Sequence, residues 1–553
     1  MSDPHDATPP PDSPPLNGFG RPVRRRGAAG NDATPRMETV RVTAPDLQRR
    51  KALEKARVRL VVTAAGFVVL FLAVFGKLTD ATILDPLLPH RPERPIAKIL
   101  APLEKPTDAL LPGQRANIVD RNGQILAISL PTVSVYADPR QIIDPVEAAK
   151  KLKAVLPRLD LAEAEKRLAM SDKQFVWLER QITPREEVAI NALGIPGVNF
   201  LPSEERHYPM GRIAAQVLGG VDVDEHGVAG VEKWFDHRLR TDADPLRLSL
   251  DVRVESVVRD ELSKAVDEFQ AIGGAGIVMD VTTGEVLAMV SLPDYDANNF
   301  RTASPDQRFN RAVTGVYEPG STFKLQTASM ALSDGVVHVW DQFDAAHNIH
   351  IGRFTISDFE GKHRWLYLPE VLAYSSNLGA AHMATLVGAD RQRAWLKMVG
   401  MFTRSPIQLP EAAPPILHPA NDWRLATTMT VGFGQGIAVE PMQLVRGTAA
   451  VATGILQKPT LLALPPGSQP EGERVMQPDV VRTMDKLMRL VVTSGFGTKA
   501  EVAGYYPGGK TGTTEKVGKH GYHRGFKQTF NVSAFVSVFP MNAPKYAVYI
   551  MLD

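Results

Sequence analysis

In the stretch EPGSTFKLQTASMAL, Glu318 to Leu332, a Pro-Gly turn delivers Ser321 to the start of an apolar-faced helix, with Lys324 three residues on. Residues three apart on a helix share a face, so the Ser321 hydroxyl and the Lys324 amine are neighbours. A serine hydroxyl is a weak nucleophile until a nearby base takes its proton, and a lysine amine can be that base if burial or a second cation keeps it neutral. The helix N-terminus adds backbone N–H groups that can bind a developing oxyanion. The pair therefore points to nucleophilic chemistry through a covalent intermediate. Alone it is weak, because Ser-x-x-Lys arises about twice by chance in a chain this long.

Two further segments raise the odds. YSSNLGAAHMA (Tyr374–Ala384) brings Ser375 and Asn377 to the start of another helix, and PGGKTGTTEK (Pro507–Lys516) brings Lys510, Thr511, Gly512 and Thr513. Each has a plainer reading: Ser375 as a helix cap, the Gly-rich segment as a turn. On a strand, Thr511 and Thr513 share one face and Lys510 falls on the other, reaching the site only if its stem curls round the edge. His207, His226, His237 and His382 are scattered, and His347 and His350 have no Cys and no obvious third ligand beside them, so no metal is implied.

Bringing together segments this far apart requires a large fold. The 553 residues, 44% hydrophobic and 22% charged, suffice for two or three domains. With 63 basic against 61 acidic residues there is no nucleic-acid footprint in the total, and the absence of Cys excludes disulfides and thiolate chemistry. Residues 1–59 carry 12 Lys or Arg against 7 Asp or Glu and read as a disordered basic tail. LVVTAAGFVVLFLAVFG (Leu60–Gly76) is 17 uncharged residues, apolar all round, and reads as a transmembrane signal anchor. Arg57 and Arg59 before it, with Lys77 behind, place the tail in the cytoplasm and the rest outside. No nucleotide-binding glycine motif is present.

Residues 77–245 read as an elongated α+β module. NIVDRNGQILAISL has the Asn-Gly signature of a hairpin, and DPVEAAKKLKAVL that of a capped helix with Pro at its first position. From Leu246 the character changes. LRLSLDVRVESVVRDELSKAVDEF passes from alternation into a helix; GAGIVMDVTTGEVLAMVSL gives two strands, a helix-rich middle follows, and NVSAFVSVFP and KYAVYIML give two more. Strands at both ends of a helical segment predict one antiparallel sheet flanked by helices over 246–553, an α+β fold.

In order, Ser-x-x-Lys, Ser-x-Asn and Lys-Thr-Gly match the motif set of penicillin-binding proteins and class A β-lactamases. NRAVTGVYEPGSTFK, GQGIAVEPMQLVRGTAAVATG, PDYDANNF, RANIVDRNGQILA, FVWLERQI and GVAGVEKWFD sharpen this. From about Arg115 onward the chain resembles class B penicillin-binding proteins of the cell-division (septal, FtsI) type. The resemblance implies that Ser321 is the acylated nucleophile and Lys324 its general base. Ser375 would relay a proton to the leaving group, Asn377 hold Lys324 and the substrate amide, and Lys510 supply positive potential. Thr511 and Thr513 would bind a terminal carboxylate, Gly512 let substrate close on the backbone, and the N–H groups of Ser321 and Thr513 form the oxyanion hole.

It also implies a peptidoglycan stem peptide ending in D-Ala-D-Ala as substrate, β-lactams as covalent inhibitors, no cofactor, and a catalytic domain in the periplasm anchored in the bacterial inner membrane. Arg115, Asp120, Arg121 and Gly123 fit the family's pedestal motif and Glu232 its Gly-x-Glu segment. Their expected role is as ion pairs and turns joining the two domains, with the pedestal and anchor contacting a membrane glycan polymerase and other division proteins. Ala116 and Thr514 depart from the usual family residues, both expected to lie away from the nucleophile. The family usually continues past the last strand into a carboxy-terminal helix, so the sequence is expected to be a fragment ending at Asp553. A β-lactamase is disfavoured because no base for a deacylating water stands out. An elongation-type transpeptidase, a D,D-carboxypeptidase and a non-catalytic division scaffold or β-lactam sensor remain as alternatives.

Overall fold

A helix of 36 residues, Ala44–Thr79, carries the apolar run. It belongs to a computed structural model that describes residues 44–79, 115–352, 354–515, 517–518, 521–522 and 531–553. The expected tail over 1–43 and the start of the expected pedestal over 80–114 lie outside the described residues. Residues 44–59, assigned to a disordered tail from composition, are helical instead. Their Leu, Ala, Gln, Glu, Lys and Arg are strong helix formers, and continuing an existing helix costs no new nucleus. The window Arg57–Val74 is long and apolar enough to cross a membrane, with a mean hydropathy of 2.1.

The expected hairpin forms between Ile118–Val119 and Ile125–Ala137. Its turn depends on Gly123, at φ +89°, and on the Asp120 carboxylate, which accepts the N–H groups of Asn122 and Gln124. The long strand Ile125–Ala137 pairs on one side with Val176–Ile182 and on the other with Val198–His207. Val135 and Ala137 on its inner face pack with Ala149, Leu152, Leu168, Leu178 and Ile190 into a small core of its own. The helix Pro145–Val155 starts as its sequence predicts, with Asp144 accepting from Val146 and Glu147 N–H and Pro145 at the first position.

Apolar packing does not stop at residue 245. Ile118–Val119 also pairs in parallel with Leu246–Arg247, and one large core runs from Ala116, Ile118 and Leu126 through Leu218 and Leu250 to Phe323, Val445 and Met551.

The antiparallel sheet predicted from the sequence is present, with five strands. Its order is Gly508–Glu515, Asn531–Phe539, Tyr546–Leu552, Gly274–Asp280, Val286–Leu292. The last two strands are buried throughout, which explains their near-continuous apolar runs. One face lies under the helix Val252–Phe269, where Val258, Leu262 and Val266 meet Val290, Leu292 and Ile550. Among the described residues the edge strand Gly508–Glu515 pairs with Asn531–Phe539 alone. Its other side is turned to the Ser321 segment.

Candidate active site

Ser321 sits in a 3-10 turn, Gly320–Phe323, that runs directly into the helix Lys324–Ser333. Gly320 is at φ +54° and donates its N–H to the Gly434 carbonyl at 3.0 Å. A Cβ on Gly434, itself at φ +84°, would stand 2.1 Å from the Gly320 oxygen. The two glycines thus let two backbones touch behind the nucleophile. Every residue from Lys324 to Ala331 is buried, not just the stripe of Leu325 and Ala328, while Leu332 is half-buried. Of its polar members, Thr327 donates to the Gly432 carbonyl at 2.7 Å and Gln326 accepts from the Trp395 indole at 3.1 Å, while Ser329 Oγ has no hydrogen-bond partner among the described residues.

Lys324 is fully buried. Its Nζ lies 2.7 Å from Ser321 Oγ, 2.7 Å from the Ser375 carbonyl, 2.7 Å from Asn377 Oδ1 and 3.1 Å from Ser375 Oγ. Burial, reinforced by the nearby Lys510 charge and opposed by Asp358, holds its pKa well below the ordinary lysine value. The resulting neutral amine has two N–H groups and one lone pair. Two of its four neighbours are carbonyl oxygens that can only accept, so they take both N–H groups. The lone pair is left to accept a hydroxyl proton.

Ser375 adopts φ +55°, a left-handed conformation uncommon for a residue with a Cβ. Its plainer reading as a helix cap falls instead to its neighbour: Ser376 Oγ accepts the Gly379 N–H at 3.0 Å at the head of the helix Asn377–Val387. Ser375 Oγ is thereby free to bridge Lys324 Nζ, at 3.1 Å, and Lys510 Nζ, at 2.9 Å. Asn377 is held by its amide, which donates to the Ser357 carbonyl at 3.0 Å.

On the edge strand, Lys510, Gly512 and Thr514 are buried while Thr511 is half-buried and Thr513 exposed, the predicted alternation. Lys510 nonetheless reaches the site: its stem bends until Nζ is 3.1 Å from the Thr511 carbonyl and 3.4 Å from the Thr511 hydroxyl. Burial pushes its pKa down to about 7. A Cβ on Gly512 would stand 2.8 Å from Thr322 Cγ2 and 3.2 Å from the Pro319 carbonyl, so the missing side chain lets the strand close on the nucleophile turn. Thr514 packs against the residues just before the nucleophile. Its hydroxyl donates to the Glu318 carbonyl at 3.2 Å and would be 2.2 Å from a Cβ on Gly320.

Asp358 was not legible in the sequence, since it precedes Asn377 by 19 residues, beyond any helical or strand spacing. Its carboxylate accepts the N–H groups of Asn377 and Leu378 and the Ser376 hydroxyl. Arg206 was missed for the same reason. Glu232, fully buried, takes Arg115 Nε on one oxygen at 2.6 Å and Arg206 Nε on the other at 2.7 Å. Arg115 also donates to Asp236 at 2.7 Å and to the Glu225 carbonyl at 3.0 Å, so its ion pairs lie within 225–236 and do not cross to the sheet domain. The expected joining role falls to its neighbours. Asp120 Oδ2 accepts the Val252 N–H at 3.3 Å, Arg121 N–H donates to the Leu250 carbonyl at 2.9 Å, and the Arg121 guanidinium lies 3.6 Å from Glu285. His347 and His350 part company: the first meets Asp344 and the second Thr355, each at 3.0 Å.

A buried, uncharged lysine one turn from a serine, on a helix backed by an antiparallel sheet, defines a serine-type acyl-transfer scaffold. Residues 274–553 match the penicillin-binding protein transpeptidase domain family, and residues 110–261 the penicillin-binding protein dimerisation domain family. The chain belongs to the penicillin-binding protein transpeptidase family, in its class B, FtsI type. It is 39% identical over 453 residues to a probable peptidoglycan D,D-transpeptidase FtsI of Caulobacter vibrioides, covering 80% of this chain and 76% of that one. It is 30% identical over 470 residues to the peptidoglycan D,D-transpeptidase FtsI of Escherichia coli strain K12, covering 79% of each. Among solved structures, a peptidoglycan synthetase from Bifidobacterium adolescentis aligns with a TM-score of 0.62 at 25% identity, over 79% of this chain and 90% of that one.

Proposed function

We propose that this chain is a peptidoglycan D,D-transpeptidase that cross-links stem peptides at the division septum through an acyl-enzyme on Ser321. The observation that carries the reading is the valence of Lys324: with both N–H groups held by carbonyls, its lone pair is available to the Ser321 hydroxyl at 2.7 Å. Ser321 Oγ attacks the penultimate carbonyl of a D-Ala-D-Ala terminus as its proton passes to Lys324 Nζ. The oxyanion is stabilised by the backbone N–H groups of Ser321 and Thr513. Collapse breaks the amide bond, and the departing D-Ala nitrogen receives the proton from Lys324 through Ser375 Oγ, the hydroxyl that touches both lysines. Thr511, Thr513 and the Lys510 charge hold the terminal carboxylate. The amine of a second stem then attacks the Ser321 ester, forming the cross-link and returning the hydroxyl. A β-lactam enters the first half of this sequence and stops there.

Labelling with fluorescent penicillin tests the reading. A long-lived adduct that disappears in Ser321→Ala supports the transpeptidase; rapid turnover points to a β-lactamase, and no adduct to a scaffold or sensor. A D,D-carboxypeptidase would pass the acyl group to water alone, which release of D-Ala without cross-linked product reveals. An elongation role is the second reading, and depletion separates the two: filamentous cells support division, rounded cells overturn it.

The apolar run Leu60–Gly76 within the helix Ala44–Thr79 is assigned as the anchor in the bacterial inner membrane, with the catalytic domain in the periplasm. The chain has no Cys, so Ser13→Cys and Gln469→Cys report sidedness. A membrane-impermeant maleimide reaching position 469 and not 13 in cells with permeabilised outer membranes fits the assignment, and the converse overturns it. The pedestal and anchor are assigned to contact a membrane glycan polymerase; Arg121→Ala leaving polymerase activation unchanged would count against that.

A further inference from the structure

The Asp358 carboxylate takes no part in the bond-making steps above, yet it holds the segment on which they depend. Oδ1 accepts the backbone N–H of Asn377 at 2.5 Å and of Leu378 at 3.0 Å, and Oδ2 accepts the Ser376 hydroxyl at 2.7 Å. A carboxylate is favoured at this helix N-terminus, where N–H groups lack intrahelical partners and the helix dipole is positive. The bonds are charge-assisted and so among the stronger ones a protein makes. They fix the residues immediately following Ser375, whose left-handed backbone is not self-supporting. That backbone aims the Ser375 carbonyl, and Asn377 aims its amide oxygen, at Lys324 Nζ, each at 2.7 Å.

We infer that Asp358 is a positioning residue for the general base: by pinning Ser376, Asn377 and Leu378 it dedicates both N–H groups of Lys324 to carbonyl acceptors and so directs the lone pair at Ser321. The inference rests on the acyl-transfer reading. It has a second, opposite consequence. Two charged side chains act on Lys324, Lys510 from the edge strand and Asp358 from the loop before the helix Leu368–Ala373. The helix Asn377–Val387 presents the uncharged Asn377. Lys510 favours the neutral amine and Asp358 favours the ammonium, so Asp358 orders the base while charge alone would weaken it.

Two substitutions separate these effects. Asp358→Asn keeps a side-chain acceptor for the Asn377 and Leu378 N–H groups and removes the charge. Asp358→Ala removes both. The acylation rate constant at saturating fluorescent penicillin, and its pH dependence, are measured on the full chain in detergent, with thermal melting to confirm folding. In Asp358→Asn the acid limb of the profile moves to lower pH. In Asp358→Ala the rate constant falls about tenfold or more while penicillin affinity stays within about twofold, because orientation and not binding is lost. Asn recovers most of that rate. A wild-type rate in folded Asp358→Ala overturns the inference; where Asp358→Ala does not fold, Asp358→Asn acylating at the full wild-type rate with an unmoved acid limb overturns it. Failure of the wild-type protein to form an adduct would instead sink the acyl-transfer reading beneath it.

Discussion

Lys324 faces four oxygens from two segments of chain, and two of them are carbonyls that can accept but never donate. That asymmetry makes the site a proton acceptor, provided the amine arrives uncharged, which burial and Lys510 ensure. The two lysines titrate as a pair. Burial, reinforced by the Lys510 charge, holds Lys324 well below the ordinary lysine value, and burial brings Lys510 to about 7. Acylation by penicillin is therefore expected to be bell-shaped in pH. On the acid side it falls as Lys324 gains a proton and ceases to be a base; on the alkaline side it falls from about 7 as Lys510 loses the charge that holds the carboxylate. An alkaline limb near the ordinary lysine value of 10.5 would contradict this. The types and order of Ser321, Lys324, Ser375, Asn377 and Lys510 were legible in the sequence. Division of labour between Ser375 and Ser376 was not, because only a backbone angle decides which serine caps the helix. Strand alternation put Lys510 on the far face and left its reach open; its four-carbon stem bends round to Ser375.

At the scale of elements, catalysis depends on how closely the edge strand Gly508–Glu515 approaches the nucleophile turn. Gly512 against Thr322 and Thr514 against Gly320 set that approach, and with it the gap between the Ser321 and Thr513 N–H groups. Gly512→Ala is expected to push the strand outward and lower the acylation rate constant about a hundredfold, the order seen when one oxyanion donor is displaced. Stopped-flow acylation checks it, and an unchanged rate would show that the contact has slack. The strands themselves were readable from apolar runs and turn residues. Gly512 was read as making room for substrate, whereas its Cβ position is already occupied by Thr322. Contacts between segments almost 200 residues apart leave no periodicity to read.

For the whole molecule, the fold class followed from strands flanking a helical middle, but the change of composition at Leu246 is not a break in packing. Ile118, Leu126 and Leu218 share a core with Met551 because the short strand Ile118–Val119 pairs with Leu246–Arg247. In the residues before the sheet, Arg115, Glu232 and Arg206 form a buried ion-pair cluster. Glu232→Gln leaves the buried Arg206 guanidinium without its counter-charge and Arg115 with Asp236 alone, and is expected to cost about 3 kcal/mol in a denaturant melt; a loss below about 1 kcal/mol would show the cluster to be hydrated. All of this architecture serves one arrangement, an uncharged Lys324 amine against the Ser321 hydroxyl. Peptide mapping by mass spectrometry after a brief penicillin pulse tests it most directly, run in parallel on wild type and Lys324→Met. The account predicts a single penicilloyl group on Ser321 in the wild type and a rate about a thousandfold lower in the variant. An adduct on any other residue, or Lys324→Met acylating at the wild-type rate, would contradict it.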